Sequence, residues 1–397
     1  MTGSKAGVGQ QGILFVSHEA SRTGAPTNLL HFLRWFRRYS DRPFSVLLGQ
    51  GGELVPEFEK LGSTWSILQS RWIPGGLRAS LLSNAGLGAR ARRAETADAQ
   101  RFAARCSPAL VYANSIASAR AIEVLDPRIP LLTHVHELET RFQMLASPAL
   151  TNLLTKTTKF IACSKAVQSN LVKNHGIDAA AIETVCESIP VDEIRATRTR
   201  KQVLGELRIP NEALVVVGSG TADWCKGPDL FVQLAREVCR QRHGAYFVWV
   251  GGGPNLRLAE FEHDIRLTGL TEKIRRTGAV KNPAEYLAAS DVFALTSRED
   301  SFPLVCLEAA ALGKPIVCFA SAGGMPEFVE ENCGFVTPYI DIIAMAERIV
   351  HLLDSSDLRK TMGECARRKA AERHDVKNAA RTIVEIIEKT IPELLGQ

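Results

Sequence analysis

The sequence predicts an α/β protein made of two doubly wound domains, each with a parallel sheet covered by helices. The chain has 397 residues, which is too long for one ordinary hydrophobic core. Short runs rich in Val, Ile and Leu alternate with longer helical patterns in both halves, as in βαβ units with buried parallel strands. This alternation stops at residues 188–210, where charged residues replace the apolar runs. Two such domains joined once are expected to face each other across a cleft, because folds of this kind bind ligands at the carboxyl ends of their strands.

Each strand is predicted from a short apolar run, and each helix from the longer pattern that follows it. The predicted strands of the first half are Gly12–Ser17, Phe44–Gly49, Thr64–Leu68, Ala109–Ala113, Leu131–Val135, Lys159–Cys163 and Ile182–Cys186. Those of the second half are Ala213–Gly218, Ala245–Val250, Lys273–Thr277, Asp291–Thr296, Pro315–Phe319 and Gly334–Thr337. Helices are predicted at Ala25–Arg38 and Leu77–Arg105.

The domain boundaries follow from the charged break and from a polar break near the end. We predict a first domain at residues 1–190, a linker at 191–210 and a second domain at 211–373. Arg373-His374-Asp375 precedes a last helix, so residues 374–397 are predicted to form a C-terminal helix that packs back on the first domain.

Composition and cysteine usage favour a cytoplasmic protein. Apolar residues make up 45% of the chain and charged residues 23%, as in globular proteins. No apolar run reaches the roughly 18 residues that a membrane span needs. Residues 1–11 are polar and show no secretory h-region. The nine cysteines form no C-x-x-C pair, which is typical of a reducing compartment.

Positive charge is concentrated in the first half, although the whole chain carries only +5. The residues concerned are Arg34, Arg37, Arg38, Arg90, Arg92, Arg93, Arg101 and Arg105. A basic amphipathic surface can attract anionic lipid head groups or a phosphorylated acceptor, which would allow peripheral contact with the inner face of a membrane. The alternative is that these arginines line solvated helix faces. Nucleic acid is not expected as a partner, because basic and aromatic residues do not alternate along a strand.

The segment from Ala294 to Phe319 has the features of an anion site. A strand runs into a charged loop, Pro303 stands where a helix begins, and Gly313 stands where it ends. The first amides of a helix lack acceptors and carry partial positive charge, so those of Leu304 and Val305 can cradle a diphosphate.

Two carboxylates flank this helix start. Asp300 lies in the loop just before it, and Glu308 lies one turn beyond Leu304, with seven residues between the two acids. Carboxylates accept hydrogen bonds from the hydroxyls of sugars and ribose. An ordinary βα unit with surface acids is the alternative.

This segment resembles the acidic-x7-Glu motif of the retaining GT-B glycosyltransferases, the group often called family 4. Members have two Rossmann-like domains. The match extends through Ser297-Arg298, Phe302-Pro303-Leu304-Val305 and Glu308-Ala309-Ala310, and continues at Gly323-Gly324-Met325-Pro326-Glu327. Most members have Glu at the first acidic place, where this chain has the shorter Asp300.

A second match begins at Val215 and ends at Leu230. Lys226-Gly-Pro-Asp-Leu230 resembles the family's K-G-x-[DE]-L element, whose lysine contacts the donor diphosphate. Many members carry an Arg five residues before that lysine, where this chain has Thr221, so a positive charge is missing unless a neighbour such as Arg298 supplies it.

Two weaker resemblances concern the turns that follow other strands. Gly251-Gly-Gly-Pro254, which contains Gly252, resembles the family's V-G-x-G-P turn. Thr277-Gly-Ala-Val280 resembles the segment that meets the nucleobase. Glycine-rich strand ends are also common in α/β proteins without such a role.

The first half resembles the family only loosely, at two strand ends. The loop from Ser17 to Pro26 looks like the family's first loop, in which Gly24 lets the backbone approach the donor. In Thr133-His-Val-His-Glu-Leu138, His136 fits best the histidine that members place at the donor sugar, with His134 and His18 as rivals. A zinc site is not indicated, because H-E-x-x-H and ligand spacing are absent. A structural histidine at a strand end is the alternative.

The resemblance implies retaining transfer of a hexosyl-type sugar from an NDP-sugar to a glycan or lipid-linked acceptor, in cell-surface polysaccharide synthesis. It implies catalytic roles for His136, Asp300 and Lys226. The implied donor contacts are Gly24, Thr221, Lys226, Gly252, Val280, Arg298, Asp300, Phe302, Leu304, Val305 and Glu308. No cofactor or metal is expected, because lysine and helix amides neutralise the leaving diphosphate. Two alternatives stay open, a nucleotide-sugar epimerase of the same fold and a non-catalytic scaffold that binds nucleotide sugars.

Overall fold

The computed structural model describes residues 12–68 and 87–395, and within them the chain forms two parallel sheets. The first sheet has the strand order β3-β2-β1-β4-β5-β6-β7, and the second β10-β9-β8-β11-β12-β13. All of the pairings are parallel. The predicted α/β class with two doubly wound sheets is therefore confirmed. Residues 1–11, the predicted helical residues 77–86, and the side chains of Arg90, Arg92 and Arg93 lie outside the described part.

Every strand predicted from the sequence is present, with ends displaced by at most two residues. The strands are β1 Gly12–Ser17, β2 Phe44–Gln50, β3 Ser63–Leu68, β4 Pro108–Asn114, β5 Leu131–Val135, β6 Lys159–Ala162, β7 Ile182–Thr184, β8 Leu214–Ser219, β9 Ala245–Val250, β10 Ile274–Arg276, β11 Val292–Leu295, β12 Ile316–Phe319 and β13 Gly334–Thr337. The agreement reflects burial on both faces, which requires continuous apolar runs.

Helices connect the strands and cover the sheets. In the first half they are Gly24–Tyr39, Val55–Glu59, Leu87–Cys106, Ala119–Ile122, Glu139–Met144, Pro148–Lys156 and Lys165–His175. In the second half they are Arg200–Glu206, Pro228–Gln241, Asn255–Leu267, Ala284–Ala288, Leu304–Ala311, Met325–Val329, Ile342–Asp354, Ser356–Arg373 and Val376–Leu395. No described helix is both long enough and apolar enough to cross a membrane.

The chain divides into two compact units, each with its own core. One unit holds the described residues up to Cys163, Val167–Val185 and the last helix from Ala379 onward. Its core is built around Phe15, whose ring contacts the rings of Phe32, Phe36, Phe44 and Tyr112.

The last helix belongs to this first core although it comes after the second unit in sequence. Its residues Ala380, Ile383, Ile387 and Ile391 are buried in the same cluster as Phe15. Their spacing of three and four residues places them on one helical face.

The second unit holds Ser164–Ala166 and Cys186–Asn378. Its core contains the mutually packed rings of Phe231, Phe247, Trp249 and Phe261. Aromatic pairs of this kind prefer edge-to-face arrangements, which these three contacts show.

Part of the range predicted as a linker, residues 191–210, is a helix of the second unit. Thr199 and Gln202 form a capping box at the start of Arg200–Glu206. The Arg200 guanidinium donates to the Ala213 carbonyl at 2.6 Å and to Asp291 at 3.0 Å. Two uncharged polar residues therefore cap this short helix, and the charged Arg200 anchors it.

Candidate functional site

The carboxyl ends of β8 and β11 bring Lys226 and Asp300 together. Lys226 Nζ lies 2.6 Å from Asp300 Oδ2, and the Ser297 hydroxyl donates to the same oxygen at 3.1 Å. The Asp300 side chain is only 7% exposed, against 28% for Lys226, so the carboxylate is the more deeply buried partner. Two of the three residues with predicted catalytic roles thus form an ion pair within the second unit.

Glycine and a buried threonine fix the loop that carries Lys226. Gly227 adopts φ +63°, and a Cβ there would lie 2.3 Å from the Thr296 carbonyl oxygen. The Thr296 hydroxyl is within hydrogen-bonding distance of the carbonyls of Lys226 and Gly227, at 3.2 and 3.0 Å. The loop after β8 is therefore fastened to the end of β11, which sets the position of the lysine.

The electrostatics of the pair keep Lys226 charged. Burial alone lowers the pKa of Lys226, but attraction to Asp300 and the hydrogen bond with it outweigh burial and raise that pKa above its ordinary value. A protonated lysine at this strand end is a point charge suited to a phosphate.

The helix predicted after Pro303 spans Leu304–Ala311 and begins beside Asp300. The Asp300 amide donates to the Ala322 carbonyl at 2.7 Å, which holds the loop before the helix in place. The amides of Leu304 and Val305 belong to the first turn, where the helix itself offers no acceptor. The Leu304 side chain is buried, so this residue presents its backbone.

Phe302 is a core residue in this structure. Its ring is 3% exposed and stacks on the His374 ring with centroids 5.2 Å apart. The predicted contact of Phe302 with a donor is therefore restricted to its backbone, because the ring is already covered by protein.

Glu308 is the least satisfied acid of the group. No described residue makes a hydrogen bond or ion pair with its carboxyl group, and burial raises its pKa to about 7. Its side chain is half-buried, so the acid is partly desolvated and a ligand could supply the hydrogen-bond donors that it lacks.

The thiol of Cys306 is influenced by the charges of all three predicted residues. Burial raises the pKa of Cys306 well above its usual range, and the charges of Asp300 and Glu308 raise it further, whereas Lys226 acts in the opposite direction. All three groups therefore lie close enough to influence one buried sulfur atom.

Hydrogen bonds connect the turns that contain the predicted residues Thr221, Gly252 and Val280. The Ala222 amide donates to the Gly252 carbonyl at 2.7 Å, and the Gly251 amide to the Gly278 carbonyl at 3.1 Å. Thr221 is exposed in the first of these turns. The loops after β8, β9 and β10 thus form one connected edge of the second sheet.

Arg298 already has a counter-ion. Its guanidinium donates to both oxygens of Asp229, at 2.9 and 2.6 Å, and to the Trp224 carbonyl at 3.1 Å. The hydrogen bond with Asp229 raises the pKa of Arg298. Arg298 is therefore not a spare cation that replaces the arginine missing at Thr221.

In the first unit, Asn114 links two of the predicted residues, and sequence reasoning missed it. At the end of β4, its amide nitrogen donates to the Ala25 carbonyl, next to Gly24, at 2.9 Å. Its oxygen lies 3.0 Å from His136 Nε2. Because the amide nitrogen faces a carbonyl, the oxygen faces His136, which requires a proton on Nε2. The sequence feature that could have identified Asn114 is its position as a polar residue at the end of a buried strand.

The rival histidines have different surroundings. His134 is buried against the Tyr112 hydroxyl at 2.7 Å, and burial followed by repulsion from His136 keeps its pKa well below the usual range. His18 lies beside Glu19, with Nε2 and Oε1 3.6 Å apart. Glu137, which follows His136, accepts hydrogen bonds from the His136 and Ile116 amides.

Gly24 is exposed, and a Cβ there would meet nothing within 4 Å. Nothing in the described fold requires a glycine at this position. Gly24 and His136 lie in the first unit, whereas the group around Lys226 lies in the second.

The fold and the comparisons define the class of protein. HepE of Anabaena, solved with UDP and glucose, has a TM-score of 0.75 and 21% sequence identity, with 96% of this chain and 100% of that chain covered. The chain therefore has the GT-B fold. Residues 211–355 match the family of glycosyl transferases group 1. The resemblance predicted from the sequence is confirmed.

Curated relatives agree with this assignment. A D-inositol 3-phosphate glycosyltransferase of Corynebacterium kroppenstedtii is 28% identical over 254 residues, which cover 60% of this chain and 55% of the relative. A GDP-mannose-dependent alpha-(1-6)-phosphatidylinositol monomannoside mannosyltransferase of Mycobacterium tuberculosis is 28% identical over 252 residues, covering 60% of this chain and 64% of the relative. The alignment thus spans less than two thirds of each relative.

Proposed function

We propose that this protein is a retaining glycosyltransferase that moves a hexosyl-type sugar from an NDP-sugar to a glycan or lipid-linked acceptor. The observation that carries the proposal is the Lys226–Asp300 ion pair beside the first turn of Leu304–Ala311. This pair lies within the segment that matches the group 1 glycosyltransferases.

The proposed reaction exchanges one bond at the anomeric carbon. An acceptor hydroxyl oxygen bonds to that carbon on the face from which the diphosphate departs, and the bond to the β-phosphate oxygen breaks. The leaving NDP takes the acceptor's proton. The products are a glycoside with retained configuration and the free nucleoside diphosphate, so no further reactant is needed.

The second unit supplies charge for the leaving group. When the donor enters, Lys226 exchanges Asp300 for phosphate oxygens, and the amides of Leu304 and Val305 add hydrogen bonds. The exchange frees Asp300 to accept from sugar hydroxyls. Glu308 accepts from the ribose hydroxyls. The chain itself thus supplies the positive charge that stabilises the departing diphosphate, and we propose that no metal is needed.

His136 is proposed to act at the donor sugar or at the departing phosphate. Its Nε2 proton is committed to Asn114, so the orientation of the ring is set before a ligand arrives. Gly24 would allow the backbone of the first loop to approach the same donor.

Names of similar proteins guide the choice of substrates. One relative is named for GDP-mannose and a phosphatidylinositol mannoside, and the HepE structures contain UDP or UDP-glucose. We therefore propose UDP-glucose and GDP-mannose as first donors, and cell-surface polysaccharide or lipid-linked glycan synthesis in the cytoplasm as the setting.

Peripheral membrane contact through the basic first half is part of this proposal. Co-sedimentation with phosphatidylglycerol vesicles tests it.

The epimerase alternative is not favoured, because the relatives described above are named transferases. A non-catalytic scaffold would bind donor without turning it over. Release of free NDP from a donor is therefore the decisive observation.

The experiment combines donor binding with turnover. UDP or GDP is expected to raise the melting temperature, because a ligand specific for the native state stabilises it. Incubation with UDP-glucose or GDP-mannose is expected to release NDP slowly to water, and Lys226→Ala to abolish this release. Lys281→Ala, at an exposed lysine of the same unit, is the control. Absence of both the thermal shift and NDP release would refute the proposed function.

A further inference from the structure

Two exposed aromatic side chains contact Arg298 in the second unit. Trp224 is 52% exposed and Tyr339 is 48% exposed, although large aromatic residues are usually well covered. The Arg298 guanidinium lies 5.5 Å from the centre of the Trp224 ring. The Tyr339 hydroxyl donates to the Arg298 carbonyl at 3.2 Å. One arginine therefore contacts both aromatic residues.

The arginine itself is held firmly. Asp229 accepts two hydrogen bonds from its guanidinium, and the Arg298 amide donates to the Cys225 carbonyl at 2.7 Å. Tyr339 also packs against the Phe319 ring, with centroids 6.4 Å apart. We call Trp224, Asp229, Arg298 and Tyr339 the aromatic platform. Because its parts are fixed in advance, a ligand would lose little affinity to ordering them.

The aromatic platform lies next to the candidate donor site, and Arg298 and Tyr339 follow strands on the side of the sheet away from β10. Trp224 is two residues before Lys226, and Arg298 is two residues before Asp300. Tyr339 follows β13, at one edge of the second sheet, whereas Val280 follows β10 at the opposite edge. A ligand on the platform would therefore extend from the sugar side of the donor rather than from its base.

We propose that the aromatic platform is a binding subsite for a pyranose ring. A pyranose presents an apolar C–H face and an edge of hydroxyls. The platform offers aromatic faces next to a carboxylate and a guanidinium, the mixture of apolar surface and few polar groups that small-ligand sites show. Asp229 in the platform, and Asp223 and Asp341 within two residues of it in sequence, disfavour an anionic lipid surface.

Within the proposed function, this pyranose would be a sugar of the acceptor. The saccharide contact itself needs neither Lys226 nor turnover, so the subsite can be tested apart from catalysis. The donor sugar is the second possible source of the pyranose, and the experiment separates the two sources.

The test measures binding of free saccharides to the full chain by saturation-transfer NMR. The probes are maltotriose, α-1,6-mannotriose and N,N′,N″-triacetylchitotriose. We expect saturable binding of at least one probe, a loss of affinity of about tenfold or more in Trp224→Ala, and a smaller loss in Trp224→Phe. Tyr39→Ala is the matched control, because Tyr39 is 59% exposed in the first unit and also lies beside an arginine, Arg38.

Two further measurements distinguish a separate saccharide subsite from a contact within the donor site. Thermal shifts induced by UDP-glucose and GDP-mannose, which carry the donor sugar, are expected to be unchanged in Trp224→Ala, and saccharide binding unchanged in Lys226→Ala. No saturable binding of any probe, or equal loss in Tyr39→Ala, would overturn the proposal. A reduced nucleotide-sugar shift in Trp224→Ala would overturn it as well, because Trp224 would then belong to the donor site. If Trp224→Ala lowers the melting temperature, the same measurements are made on Trp224→Phe and Tyr339→Ala instead.

Discussion

At the scale of single residues, Glu308 links the candidate site to stability. Its pKa in the folded protein is about 7 against an ordinary value of 4.5, so folding favours the protonated acid. The cost of ionisation is absent below pH 4.5, grows between pH 4.5 and 7, and is complete above pH 7. One pKa unit corresponds to about 1.4 kcal/mol, and the partial solvent access of the side chain reduces the total to about 1–2 kcal/mol.

We therefore predict that Glu308→Gln raises the melting temperature at pH 8 and leaves it unchanged at pH 4.5. Thermal unfolding of the ligand-free protein at both pH values measures this. The exposed Glu212→Gln is the control and is expected to have no effect at either pH. Equal melting temperatures of Glu308→Gln and the original protein at pH 8 would contradict the assignment of a partly desolvated acid with a raised pKa. At pH 8, Glu308→Gln is expected to weaken the thermal shift given by UDP or GDP, because an amide oxygen is a weaker acceptor for ribose hydroxyls than a carboxylate.

Asn114 gives a second prediction at this scale. Asn114→Ala removes the hydrogen bonds to Ala25 and His136, so the imidazole loses the partner that fixes its Nε2 proton. Within the proposed function, we expect NDP release from the donor to fall by about 10–100-fold, because small misplacements of a catalytic group are costly. The thermal shift with UDP is expected to persist, since that site lies in the second unit.

The matched control is Asn170→Ala, another buried asparagine of the first unit. A slowed reaction in both variants would assign the effect to general destabilisation. A positioning role for Asn114 also predicts a changed pH profile of NDP release, whereas a purely structural role does not.

At the scale of elements, the sequence and the structure agree wherever burial dictates the pattern. The central strands are nearly continuous apolar runs, and the helix after Pro303 begins directly after that proline and ends two residues before Gly313. The helix Arg200–Glu206 was missed because its charges masked the capping box at Thr199 and Gln202. Asn114 was missed because its contact with His136 depends on β4 lying beside β5, and a local pattern does not encode strand order.

The sequence likewise predicted some features of the candidate site and missed others. The spacing of Asp300 and Glu308 follows from one helix and its loop, so the sequence contains it. The pairing of Arg298 with Asp229 joins two separate βα units and depends on side-chain rotamers. A pairing between separate βα units produces no periodic pattern in the sequence.

A matched pair of glycines tests the loop that carries Lys226. Gly227→Ala places a Cβ 2.3 Å from a backbone oxygen at φ +63°, so the loop must move. We expect a lower melting temperature and loss of most of the nucleotide-induced shift. Gly205→Ala meets nothing within 4 Å and lies in the helix Arg200–Glu206. It is expected to stabilise the protein by about 0.5–1 kcal/mol and to leave nucleotide binding intact. If Gly227→Ala retained the nucleotide shift, the loop geometry would not matter for binding.

At the scale of the whole molecule, two hydrophobic cores and one returning helix define how the protein unfolds. Ile387 is 1% exposed within the first core, although its helix follows the second unit in sequence. We predict that Ile387→Ala destabilises the first unit by about 2–5 kcal/mol, the cost of a cavity at a large aliphatic side chain. The exposed Arg381→Ala on the same helix is the control and is expected to change little.

Calorimetry with and without nucleotide checks this prediction. UDP or GDP is expected to raise the transition that belongs to the second unit, because the candidate donor residues Lys226, Asp300 and Glu308 lie there. Ile387→Ala is expected to lower the other transition and to leave the nucleotide-sensitive one in place. A single transition that shifts with both the substitution and the nucleotide would show that the cores unfold as one cooperative unit, in which case the returning helix couples them.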